Sequence, residues 1–129
     1  MFVNIFRRLF RQKDIGRENT GKRGEDEARK YVKQMSYKVL ETNWKTKIGE
    51  LDIVAMKDGI LVIIEVKASA KLGAVSPEMR VNAKKQHKLK QLAQLYAKSR
   101  KLDCPIRFDV IAVWWDHEVR INHIENAFN

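Results

Sequence analysis

The sequence predicts an α/β domain built on one mixed β-sheet with helices packed against it. Three observations predict it. The chain has 129 residues and 44% hydrophobic content, enough for one compact domain with one core. Segments with apolar residues at helical spacing alternate with segments of strand character in the order α-β-β-β-α-β-β. Two of the apolar runs are separated by Asp58-Gly59, a pair that specifies a tight two-residue hairpin.

Residues 1–19 form a basic arm. Phe2, Ile5, Phe6, Leu9 and Phe10 recur at helical spacing, with Arg7, Arg8 and Arg11 between them. Such an amphipathic stretch suits a membrane surface, a protein partner or an edge of its own domain. Residues 20–129 form the domain. A first helix runs from Gly21 to about Met35, with Ala28, Val32 and Met35 as its apolar stripe and Tyr31 alongside. Tyr37–Trp44 alternates as a strand. Gly49–Lys67 supplies two more strands around Asp58-Gly59. Residues 68–81, with Gly73 and Pro77, read as a loop. Asn82 is a good N-cap for a long helix reaching about Lys101, with Leu89, Leu92, Ala93 and Tyr96 as its stripe. Cys104–Trp115 and Glu118–Glu125 are the last strands, joined at Asp116–His117. There is no internal repeat and no low-complexity tract.

Charge narrows the class. Lys and Arg outnumber Asp and Glu 26 to 16, a net charge of +10. That excess points to a polyanion, most simply nucleic acid, with an anionic membrane surface as the rival. The single cysteine, Cys104, cannot close an intrachain disulfide and is expected to be buried packing material. A reducing compartment fits, and with no transmembrane-length run and no secretory signal the chain is expected to be cytoplasmic. His87, His117 and His123 have no zinc spacing. No phosphate-cradling glycine loop and no nucleophile elbow is present.

The informative stretch is "GELDIVAMKDGILVIIEVK". With Asp58-Gly59 as the turn, Lys57 faces Ile60, Asp52 faces Glu65 and Glu50 faces Lys67. Leu51, Ile53, Ala55, Val62, Ile64 and Val66 then form a wholly apolar opposite face. Two carboxylates across a strand pair lie roughly 5 Å apart at Cβ and repel. A hard divalent cation resolves that conflict, because Mg²⁺ is held by one or two carboxylates plus waters and phosphate. Lys67 shares the face of Glu65 and would reach the water or the phosphate. The competing reading is a surface ion-pair cluster with Glu50–Lys67 as an ordinary cross-strand pair.

The helices add support. Glu25 sits on the buried stripe of the first helix, where a carboxylate needs a partner; dipole compensation at a helix start is the alternative. Between Met79 and Leu102 there is no acidic residue, and Arg80, Lys84, Lys85 and Lys88 are the cations best placed for a phosphate backbone. A plainly solvated face is the alternative. Lys85 falls on the apolar stripe and faces the sheet, with Gln86 beside it. Trp114 and Trp115 point to opposite faces, so at most one is core. Asp109 is expected to pair with Arg107 or a nearby lysine, outside any catalytic role.

Together "GKRGEDEA", "NWKTKIGELDIVA", "VIIEVK", "KKQHKL" and "RFDVIAV" resemble the PD-(D/E)xK nuclease superfamily and, within it, the YraN-type family, whose members are predicted endonucleases. The resemblance covers about residues 21–113. It implies a single-domain restriction-endonuclease-like core similar to archaeal Holliday-junction resolvases. It implies Asp52 and Glu65 as ligands of Mg²⁺ or Mn²⁺, the Val66 carbonyl as a third, and Lys67 orienting or activating the attacking water. Glu25 would assist the metal, directly or through water, and Lys85 or Gln86 would support the phosphate or the water. The chain departs from the pattern in two places: Leu51, not proline, precedes Asp52, and Ala68-Ser69 stand where Thr-Arg is frequent.

The expected function is metal-dependent endonucleolytic hydrolysis of DNA, including branched or structured DNA, with RNA as the other polymer. Junction cutting would suit a symmetric homodimer. Two alternatives stand beside it: a non-catalytic nucleic-acid-binding module of the same fold, and an adaptor docking to a protein or membrane through the Phe-rich arm.

Overall fold

The computed structural model describes residues 16–69 and 81–129. Most of the basic arm, part of the long loop and Arg80 lie outside the described residues. The elements are α1 (Gly16–Gln34), β1 (Lys38–Thr46), β2 (Gly49–Lys57), β3 (Ile60–Ser69), α2 (Ala83–Ser99), β4 (Ile106–Trp115) and β5 (Val119–Phe128). This is the predicted order, with one five-stranded mixed sheet. Helix α1 starts five residues before the expected Gly21 and takes in the end of the predicted arm. It ends at Gln34, where Ser36 adopts a left-handed φ of 68° and Tyr37 N–H donates to Val32 O at 2.9 Å. Met35, expected on the buried stripe, lies beyond that end and is 51% exposed.

The strands lie side by side in chain order. β1–β2–β3 is an antiparallel meander, β3–β4 is parallel across the α2 crossover, and β5 returns antiparallel. Asp58 and Gly59 have φ of 51° and 77°, the type I′ geometry their sequence demands, and they pair Lys57 with Ile60. Alternation sends Val54, Leu61, Ile63 and Val110 toward α2, where they meet Leu89, Leu92 and Tyr96. Ile53, Ala55, Val62, Ile64, Ile111 and Val113 face α1 and meet Ala28 and Val32. The result is a three-layer α/β/α sandwich with a core on each side of the sheet. Asn82 caps α2 as predicted, its side chain accepting Lys85 N–H at 2.8 Å. Cys104 is half-buried rather than buried and packs at the margin of the α2-side core. Among the described residues no helix is long and apolar enough to cross a membrane.

Asp109 is 1% exposed and has the expected arginine. Arg107 donates to both its oxygens at 2.8 and 2.9 Å. His123 Nε2 adds a third contact at 2.7 Å, and Asn126 N–H, in the irregular stretch of β5, a fourth at 3.0 Å. Burial opposes the charge, but the hydrogen bonds from His123 and Arg107 outweigh it and hold the carboxyl below its usual range. Its stabilisation is therefore complete at neutral pH and lost only as pH falls below about 4. Asp109→Ala leaves the Arg107 guanidinium with the Tyr37 hydroxyl but without its carboxylate, and should cost about 3–5 kcal/mol in urea denaturation at neutral pH. A loss below about 1 kcal/mol would show the network to be solvated.

Candidate active site

The pairing of β2 with β3 stops at Ile53–Ile64, one step before Asp52 and Glu65. The two acids are thus not ladder partners, as simple extension of the hairpin register predicts, and neither are Glu50 and Lys67. From there β2 continues along β1 and β3 along β4, so the sheet splits. Leu51 shows the change of phase: it packs in the α2-side core with Val54 and Leu61, not with Ile53. The Asp52 carboxylate takes the place of the missing ladder acceptor. Val66 N–H donates to its Oδ2 at 2.9 Å. N–H and C=O of one strand residue share an edge, so the Val66 carbonyl also belongs to the split side of β3.

Five elements meet at this opening. Asp52 comes from β2 and Glu65 from β3, within hydrogen-bonding reach of each other. Lys85 of α2 places Nζ 3.4 Å from Glu65 Oε2. Glu25 of α1 lies near enough to Asp52 and to Asn43 of β1 for both side chains to act on its carboxyl. The approach of α1 depends on Gly24, where a Cβ would collide with the Ala68 side chain on β3. Lys67 follows two residues after Glu65 on the same face, and no acid among the described residues takes its ammonium in an ion pair. Gln86 does not join the cluster through its amide donor, which bonds to Val81 O at 2.7 Å.

The electrostatics differ from those of Asp109. Burial is the largest influence on Asp52, followed by the hydrogen bond and the negative charge of Glu65. Together they push its carboxyl up to about 8 against the Val66 N–H, which favours the ionised form. Burial also raises Glu25, partly opposed by its bond to Asn43. Glu65 is 7% exposed, yet its ion-pair cation stands at 3.4 Å on a side chain 41% exposed. This pair lacks the neutralisation that Asp109 receives, and a hard cation would supply it. Among the described residues no three His, Cys, Asp or Glu side chains enclose an ion by themselves. Two carboxylates and a backbone carbonyl at the split would suit a cation that keeps several waters.

Lys84 and Lys88 are exposed on α2, and α2 itself carries no acid. Among the cations of this region, Lys85 is engaged by Glu65 and Arg100 by Glu41 at 3.6 Å. Asn43 escaped sequence reasoning. Its signal was an asparagine inside "ETNW", where strands disfavour that residue. Trp115 packs at the edge of the α1-side core, with Arg23 stacked 4.7 Å from its ring centre.

The model of the uncharacterised protein family UPF0102 matches residues 24–113. The chain belongs to that family. A UPF0102 protein of Thermodesulfovibrio yellowstonii is 47% identical over 116 residues, covering 88% of this chain and 99% of the relative. One from Desulforamulus reducens is 43% identical over 119 residues (88% and 98%), and one from Parabacteroides distasonis 40% over 121 residues (93% and 96%). The family is the YraN-type group that the sequence motifs resemble. Its matched span takes in Glu25, Asn43, Asp52, Glu65, Lys67 and Lys85, and stops before β5.

A carboxyl with a folded pKa of about 8 binds more protons folded than unfolded, between the unfolded value of about 3.9 and about 8. Metal-free protein should therefore lose part of its stability as pH rises from about 4 to about 8, and Asp52→Asn should flatten that loss. Thermal denaturation in EDTA reads both; identical slopes would refute the assignment. Gly24→Ala forces α1 off β3 and should cost about 1–3 kcal/mol, a loss that urea denaturation would measure.

Proposed function

We propose that the chain is a divalent-metal-dependent endonuclease that hydrolyses phosphodiester bonds of DNA. The observation that carries this reading is the pair Asp52–Glu65, brought together where β2 and β3 part and left short of neutralising charge. Asp52, Glu65 and the Val66 carbonyl would hold Mg²⁺ or Mn²⁺, with Glu25 bracing Asp52. The cation supplies Lewis-acid polarisation of a phosphoryl oxygen and a water nucleophile at neutral pH.

The protein residues do the rest. Lys67, which no acid among the described residues takes in an ion pair, would place its ammonium beside the attacked phosphate and stabilise the charge that develops there. Lys85 holds Glu65 and adds a second positive charge on the α2 side. Lys84 and Lys88 extend a cationic surface along which a phosphate backbone can lie. The net charge of +10 favours encounter with any nucleic acid, so the preference for DNA over RNA rests on the family resemblance.

The test is cleavage of labelled duplex, single-stranded, flap and four-way-junction DNA with Mg²⁺, Mn²⁺ or EDTA. Asp52→Asn should abolish metal-dependent products while leaving salt-sensitive binding nearly unchanged. Lys67→Ala should slow cleavage by about 10²-fold or more. Undiminished cleavage by Asp52→Asn would overturn the assignment. Binding without any product from the wild type would favour a non-catalytic nucleic-acid-binding module.

A further inference from the structure

Asn43 has a left-handed φ of 51° in the middle of β1. Few residues other than glycine take this conformation, and asparagine is among those that do. Its position is specific. From Glu41–Val54 to Thr46–Gly49 the β1–β2 register skips one pair, Asn43 opposite Asp52. The flanking side chains then part. Trp44 packs edge-on against Tyr96 under α2, ring centres 5.2 Å apart, which leaves the exposed Asn43 on the α1 side, near enough to Glu25 for its carboxamide to lower that carboxyl. The strand already has an irregularity at Leu40 that accommodates twist, so shaping the sheet does not require a second one here.

We propose that Asn43 is a positioning residue of the candidate site: its left-handed backbone aims the carboxamide at Glu25, and Glu25 so held orients the Asp52 carboxylate toward a divalent cation. The inference rests on the metal-dependent reading above and adds an outer layer to it. Residue type supports the role. A carboxamide donates to a carboxylate without cancelling its charge, whereas a lysine or arginine there would compete with the cation for the same acid. Strained backbone gathers where geometry matters to function, and this residue faces the very aspartate that the split exposes.

The test measures Mn²⁺ binding to the full chain by electron paramagnetic resonance, apart from any cleavage. Glycine accepts the backbone angle and removes the amide, so Asn43→Gly keeps the bend and loses the hydrogen bond. Asn43→Gly and Glu25→Gln should each weaken Mn²⁺ affinity by about tenfold. The double variant should lose no more than the weaker-binding single, because both changes break one chain of contacts. Asn43→Asp also tolerates a positive φ but has no amide donor, and should weaken affinity similarly, which keeps the test open should the glycine variant fold poorly. Wild-type affinity in Asn43→Gly, or losses that multiply in the double variant, would overturn the positioning role alone. No Mn²⁺ binding by the wild-type chain would overturn the metal reading and this inference with it.

Discussion

An amide even partly withdrawn from water needs a hydrogen-bond acceptor, and where β2 and β3 diverge the half-buried Val66 N–H has no ladder carbonyl to meet. The Asp52 carboxylate meets it instead, at 2.9 Å. That one bond lets two central strands separate without leaving an orphan donor. It also fixes Asp52 in the opening rather than on a face of the sheet. The rest of the site is arranged around this exchange. Glu65 stands beside the aspartate, α1 closes in through Gly24 to deliver Glu25, and α2 delivers Lys85 from the other face.

The two most buried acids of the described residues differ in how far their charge is neutralised. Asp109 collects a bidentate arginine, a histidine and a backbone N–H, and its ionised form is favoured. It ties β5 to β4 where the strand is irregular. Glu65 is nearly as buried but has a carboxyl neighbour and one cation at longer range. Burial alone would not distinguish them; the completeness of the partners does.

Much of this was legible in the sequence because it depends on local rules. Asp58-Gly59 admits one turn type, and that turn sets which residues share a face up to Ile53 and Ile64. The stripes of α1 and α2 placed Glu25 and Lys85 inward because helical periodicity does not depend on the partner. What failed depends on tertiary divergence. Extending the hairpin register to Asp52, and assigning Leu51 to the face of Ile53, both assume strands that stay paired. Asn43 was invisible for a related reason, since its contribution lies in a backbone angle, not in a chemical group expected at a site. The end of β5 ran past Glu125 because "NAF" lacks strand alternation, yet Phe128 stacks on Phe108 with ring centres 4.9 Å apart.

The order of the elements has a consequence for how the chain reaches this state. Asp52 and Glu65 lie within one hairpin, whose ends meet early because little chain separates them. Lys85 arrives only when the crossover through α2 closes and β4 docks beside β3, a later and more distant event. During folding the hairpin therefore carries a repulsion between its own ends before its counter-charge is in place. The split of the sheet does not part the two acids, which stay close enough for Glu65 to raise the Asp52 carboxyl. The hairpin alone therefore holds a charge arrangement that it cannot satisfy, and the docking of α2 with Lys85 begins to complete it.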